Sequence, residues 1–194
     1  MNDIVRVDHV FDYNDSLGCE TLHPLVSVID FSEVRPIRSS LRSFGVYAIF
    51  LKDVKCGDMI YGRQTYDYQE GTLVCLAPGQ VFGAKDDGQL RQPKGWALLF
   101  HPDLLRGTQL GRNIRNYTFF SYEVREALHL SEQERRTILD CLHNIRHELQ
   151  HAIDRQFITR SDVAGKDILA RFERTLDDYF LSDKPQTEGL PTVQ

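Results

Sequence analysis

The sequence predicts an α+β protein, strand-rich up to about residue 130 and helical beyond it. Three observations carry this prediction. Short segments rich in β-branched and aromatic residues, PLVSVIDF, FGVYAIFL, DMIYGRQTY, GTLVCLAP and GWALLF, recur along the first part of the chain. Between them lie KDVKCGD, YQEG, PGQVFG and DDGQLRQPKG, whose glycines, prolines and aspartates favour turns. From Ser131 the apolar residues recur instead every three or four positions, the spacing of one helix face.

Taken in order, the strand segments and their turns predict a small β-barrel or sandwich. FHPDLL then predicts a short helix: Pro102 suits a first helical position, where its missing N–H costs nothing, and Leu104 and Leu105 can pack back on the sheet. Ser131 and Glu134 have capping-box spacing, in which each side chain satisfies a backbone N–H that the first turn leaves unpaired. They mark a helix start. A second helix is predicted over DILARFERTLDDYF, and SDKPQTEGLPTVQ reads as a proline-broken tail.

Composition narrows the function. The 194 residues carry 28 acidic against 23 basic side chains, a net charge of −5, with no Lys/Arg-rich run. That is unlike a nucleic-acid-binding surface. Cys19, Cys56, Cys75 and Cys141 form neither a CxxC clip nor a compact disulfide framework, so a reduced compartment is expected. The longest apolar run, VYAIFL, is too short for a bilayer, and MNDIVRVDHV lacks a basic segment followed by an apolar one. A soluble cytoplasmic protein with no membrane contact is the expectation.

HNIRHELQH, His143 to His151, contains the HExxH pattern of zinc peptidases. Two imidazoles four apart on a helix can share one zinc, and the intervening glutamate can deprotonate a zinc-bound water. Helical positions argue against it here. Leu142, Ile145 and Leu149 fall within about 40° of Ile138, whereas His143, His147 and His151 lie roughly 140–220° away. A catalytic zinc needs three protein ligands in a walled cleft. Glu173, 22 residues after His151, begins an ExxxD pattern with Asp177, but the apolar face of that helix, Ile168, Leu169, Phe172 and Leu176, leaves Asp177 well off it. A solvated histidine stripe is expected, with no metal, no cofactor and no catalytic residue; a zinc-dependent hydrolase using His147, Glu148 and His151 is the alternative. No GxSxG elbow is present, RGTQLGR lacks GxGxxG spacing, and no histidine occurs between Leu25 and Phe100 to ligate a metal in the strand-rich part.

Four segments in this order, EGTLVCLAPGQVFG (Glu70 to Gly83), KGWALLFHPDLL (Lys94 to Leu105), SEQERRTILDCLHNIRHEL, and DILARFERTLDDYF with the tail after it, resemble AraC-type bacterial transcription regulators. The resemblance runs from about His23 to the end. It implies a cupin-like sensor barrel, dimerisation helices, and a DNA-binding domain with two helix-turn-helix units. Gly71 and Pro78-Gly79 look like the glycine and PG turn of a cupin's second motif, and Phe82 stands where metal-binding cupins often carry histidine. A non-metal sensor is implied, with a cupin-like β-barrel followed by C-terminal α-helices.

On this resemblance residues 1–125 are the sensor barrel with an N-terminal arm, 126–154 the dimerisation helix, and 155–194 a linker, the first helix of a truncated DNA-binding domain and a tail. Two departures stand out. HAID runs directly into RQFITR where the family has a further helix, and the chain stops where the next DNA-binding helix would begin. Gly165 to Gln194 holds four basic and six acidic residues, so this stretch cannot neutralise phosphates. Specific DNA binding is expected only of a full-length family member.

The resemblance thus implies the effector-sensing regulatory part of a regulator and not an enzyme. A homodimer is expected to use the stripe Ile138, Leu142, Ile145 and Leu149, which intramolecular packing would bury equally well. A small organic effector is assigned to Tyr61, Arg63 and Trp96. If DMIYGRQTY is one strand, Met59, Tyr61 and Arg63 share a side, and an inward arginine would favour an anionic or hydroxyl-rich ligand. Trp96, the single tryptophan, is placed to stack on a ring. A third reading is a ligand-free interaction module whose barrel interior is packed solid.

Overall fold

The computed structural model describes residues 4–53, 56–61, 64–68, 71–117, 120 and 128–156, and of 56–59, 61, 64–68 and 152–156 the backbone alone. Along the chain come β1 (Val5–Val7), α1 (Val10–Leu17), β2 (Val26–Asp30), β3 (Ile37–Arg38), β4 (Leu41–Phe44) and β5 (Tyr47–Lys52). They are followed by β6 (Cys56–Tyr61), β7 (Gln64–Tyr68), β8 (Thr72–Leu76), β9 (Gln80–Gly83), β10 (Leu90–Arg91) and β11 (Gly95–Phe100). Short helical turns and α2 (Gln109–Asn113) then lead to β12 (Leu128–His129) and the long helix α3 (Glu132–Gln156). The protein is α+β. DILARFERTLDDYF lies outside the described residues.

Ten strands form two sheets, in the orders β1-β4-β9-β6-β7 and β12-β8-β5-β11-β2, and β10 pairs with β3 in a small ribbon. Among the described residues these sheets do not join into a closed barrel; they face each other as a sandwich. The chain changes sheet at Gly45-Val46, between β4 and β5, and again at Pro78-Gly79, between β8 and β9. Gly79 makes the second corner possible with φ 91°, and its N–H donates to the Phe44 carbonyl oxygen at 2.6 Å.

YAIFLK, TLVCL and GWALLF are near-continuous apolar runs because both faces of their sheet are covered. Successive side chains alternate faces. Ala48, Phe50, Val74, Leu76, Ala97 and Leu99 point between the sheets, where they meet Val7, Phe44 and Phe82. Ile49, Leu51, Leu73, Cys75, Trp96, Leu98 and Phe100 point the other way, under α3 and the segment carrying Leu105, Leu110 and Ile114. Gly95 opens β11 at φ +105°, and a Cβ there would collide with the Leu51 carbonyl, so only glycine lets the two strands meet at this point.

The capping box at α3 forms as expected: Ser131 Oγ accepts from the Glu134 N–H at 3.3 Å, and the Glu134 carboxylate accepts from the Ser131 N–H at 2.7 Å. FHPDLL gives a 3-10 turn over Pro102–Leu105 that buries Leu105. Helix α1 has no counterpart among the expected elements. The Asp12 carboxylate accepts from the His9 N–H at 2.7 Å at its start, and Gly18 closes it at φ 69°. Its buried Asn14 is satisfied, accepting from Ser27 Oγ and donating to Thr21 Oγ1, each at 2.9 Å. No helix among the described residues is long and apolar enough to cross a membrane.

His23, between α1 and β2, predicts a pH dependence. The Leu25 N–H donates to its Nδ1 at 3.1 Å, which requires that nitrogen to be unprotonated, and burial lowers the imidazole below its ordinary 6.5. As pH falls the unfolded chain therefore takes up this proton first. The site's contribution to stability is complete above 6.5 and is lost as pH falls through that value toward the lower folded one. Melting temperature should decline from about pH 7 to about pH 5. His23→Asn, whose side-chain oxygen can accept the same N–H without titrating, should flatten part of that decline.

Candidate functional site

Strand alternation brings two cations into the space between the sheets. Lys52 lies two residues beyond Phe50 on β5, and its Nζ is 5.3 Å from the Phe50 ring centroid, 5.4 Å from that of Phe82 and 5.9 Å from that of Phe31. Arg42 lies two residues before Phe44 on β4, in register with Phe82 of β9. Its guanidinium carbon is 5.4 Å from the Tyr13 ring centroid. The Arg42 Nε is buried and has no hydrogen-bond partner. Among the described residues no carboxylate pairs with this guanidinium.

The surrounding wall is aromatic. Phe50 is its centre, with ring centroids of Phe82, Phe44, Tyr13 and Phe31 at 5.4, 5.9, 6.0 and 6.4 Å. Burial pushes the Tyr13 hydroxyl up to about 12, against the opposing pull of the Arg42 charge. It is neutral at physiological pH, so it leaves that charge unbalanced. Cation–π attraction of about 0.5–2 kcal/mol holds the half-buried guanidinium on this ring but gives the buried Nε no acceptor.

This end of the interior is polar and reaches solvent. Lys52 is in register with the buried Thr72 of β8, and Thr72 with His129 of β12. Thr72 Oγ1 lies 3.3 Å from His129 Nδ1. On the other sheet Val5, in register with Arg42 on the edge strand β1, is 43% exposed. Two cations and a hydroxyl beside phenyl rings can receive an acceptor group and its apolar body.

The expected site residues are distributed differently. β6 ends at Tyr61 and β7 begins at Gln64, the two residues being paired antiparallel, so DMIYGRQTY is two strands instead of one. The missed signal is Gly62 in a two-residue connection, the pattern of a tight hairpin. Arg63 and the Tyr61 side chain lie outside the described residues. Trp96 is buried on the other face of its sheet, under α3, edge-on to His143 at 4.7 Å and with Arg146 5.7 Å from its ring. It does not join Arg42 and Lys52.

The stripe on α3 packs against the same chain. Leu142, Ile145 and Leu149 are buried on the sheet and Ile138 is partly buried beside them. Pairing with a second copy through this stripe would require the helix to leave its sheet. His147 and His151 are exposed, with ring centroids 4.0 Å apart, and Glu148 is half-buried. Among the described residues no three His, Cys, Asp or Glu side chains are grouped to hold a metal. Glu173 and Asp177 lie outside the described residues.

Ion pairs join α3 to residues next to Lys52 and next to Phe31. Asp53 follows Lys52, and its Oδ1 accepts from Arg135 Nε at 3.2 Å and Nη2 at 2.8 Å. Phe31 lies between Asp30 and Glu33; Arg146 Nη2 donates to Glu33 at 2.5 Å, and its Nη1 is 4.0 Å from Asp30. Comparison of the chain with protein-family models and with curated protein sequences gives no match.

Proposed function

We propose that this chain is the effector-sensing regulatory part of an AraC-type transcription regulator, its two sheets corresponding to a cupin-like sensor fold and α3 to the helix that follows it. The observation that carries the reading is the pair of inward cations, Arg42 and Lys52, among the aromatic side chains of the interior. A scaffold packed solid has no use for a buried, unpartnered guanidinium nitrogen, which weakens the reading as a ligand-free interaction module. The ion pairs from α3 to Asp53 and Glu33 fit a sensor whose helix follows the state of that interior. Operator recognition would be the part of the recognition helices of a full-length family member.

A thermal-shift screen of the full chain against sugars, organic acids, amines and nucleobases tests the reading. At least one class should raise the melting temperature, with hydrogen-exchange protection concentrated on β4, β5 and β9. Complete indifference to the library would favour the interaction module.

A further inference from the structure

We propose that the interior site takes an organic carboxylate, its charged end on Arg42 beside Lys52 and its apolar body against Phe31, Phe50 and Phe82. This rests on the sensor reading and specifies the class of effector. Arg42 presents a planar fork of donors, which matches a carboxylate in geometry as well as charge. Its Nε is buried and unpartnered, a donor that stays unsatisfied until an acceptor arrives. The residue nearest to it in kind, Tyr13, is a neutral phenol and supplies no counter-charge.

Phe82 connects the two cations. It sits in register with Arg42 on its sheet, and its ring centroid is 5.4 Å from the Lys52 Nζ. A carboxylate at the guanidinium therefore lies beside the residue whose ring the Lys52 ammonium also faces. Thr72, in register with Lys52, adds a hydroxyl. Among the described residues the rest of the wall is apolar and largely phenyl, which selects an apolar or aromatic body over a sugar, whose hydroxyls would find few partners there. Val5, in register with Arg42 on the edge strand, is exposed, and Arg42 itself is only half-buried.

Isothermal titration and thermal shift of the full chain with benzoate and octanoate, against benzamide, octanol and inorganic phosphate, test the proposal. The two acids should bind and stabilise, while their uncharged counterparts should bind about tenfold to a hundredfold more weakly. Arg42→Met should abolish the preference for acids and leave the unliganded melting temperature equal or higher, because it removes a buried donor that has no acceptor. Arg42→Lys should keep part of the affinity. Arg42→Gln gives the same comparison should the methionine variant fail to fold; a large loss of unliganded stability in both would make Arg42 structural and overturn the site. Equal binding of acids and uncharged counterparts, unchanged in Arg42→Met, would overturn the carboxylate class and leave the sensor reading standing, as would stabilisation by phosphate alone. Indifference to both acids would overturn the carboxylate proposal, and the sensor reading would fall with it only if the wider library were also without effect.

Discussion

Leu142→Asp is expected to unfold the chain instead of releasing a stable monomer. Leu142 is 4% exposed between α3 and the sheet that carries Trp96 and Leu98. Removing a buried leucine side chain typically costs about 2–5 kcal/mol, and a carboxylate in its place must also be desolvated without a partner. The sum is comparable with the whole stability of many domains of this size, about 5–15 kcal/mol. Circular dichroism and sedimentation velocity on the same sample check this: loss of cooperative melting is the expected result. A folded monomer derived from a wild-type dimer would return the stripe to the role of an interface between copies.

The second large effect is Phe50→Ala, at about 3–5 kcal/mol. Phe50 is 1% exposed and touches the rings of Tyr13, Phe31, Phe44 and Phe82, so its loss leaves a hole at the point where both sheets meet. For a chain this long a drop of roughly 10 °C in melting temperature follows. Lys52 would lose one of its three aromatic neighbours at the same time. Denaturant melts of the variant, with and without benzoate, measure both consequences. A fall of only a degree or two would mean that the interior collapses around the deletion or was never tightly packed.

Local signals were legible where chemistry is local. The Ser131–Glu134 box placed the start of α3, and the apolar runs located β2, β5, β8 and β11 and, as one strand, β6 with β7; β1, β4 and β12 had no such run, and PGQVFG, which reads as a turn, holds β9. An apolar run does not reveal which residue faces which layer, so GWALLF was recognisable as a strand while the side taken by Trp96 was not. The stripe on α3 was equally visible, yet periodicity carries no information on whether the partner surface belongs to the same chain. Arg42 has no marker in the sequence, because LRSF is short and polar; only its pairing with Phe82 and the position of Tyr13 give it meaning. Helix α1 had readable ends in Asp12 and Gly18, but its eight residues span too few turns for a firm apolar period.

Arg135 and Arg146 set how α3 is able to move. Eleven residues separate them, about three helical turns or roughly 16 Å, so both project from nearly the same side of the helix. Each is seated on a different part of the sandwich, one at the end of β5 and the other on the turn after β2. Sliding the helix along its axis must break both seats at once. Opening either alone leaves the other as a pivot, so the least costly motion is a tilt about one bearing. A sub-ångström displacement beside Lys52 would thus be magnified along the length of the helix, as at the free end of a lever.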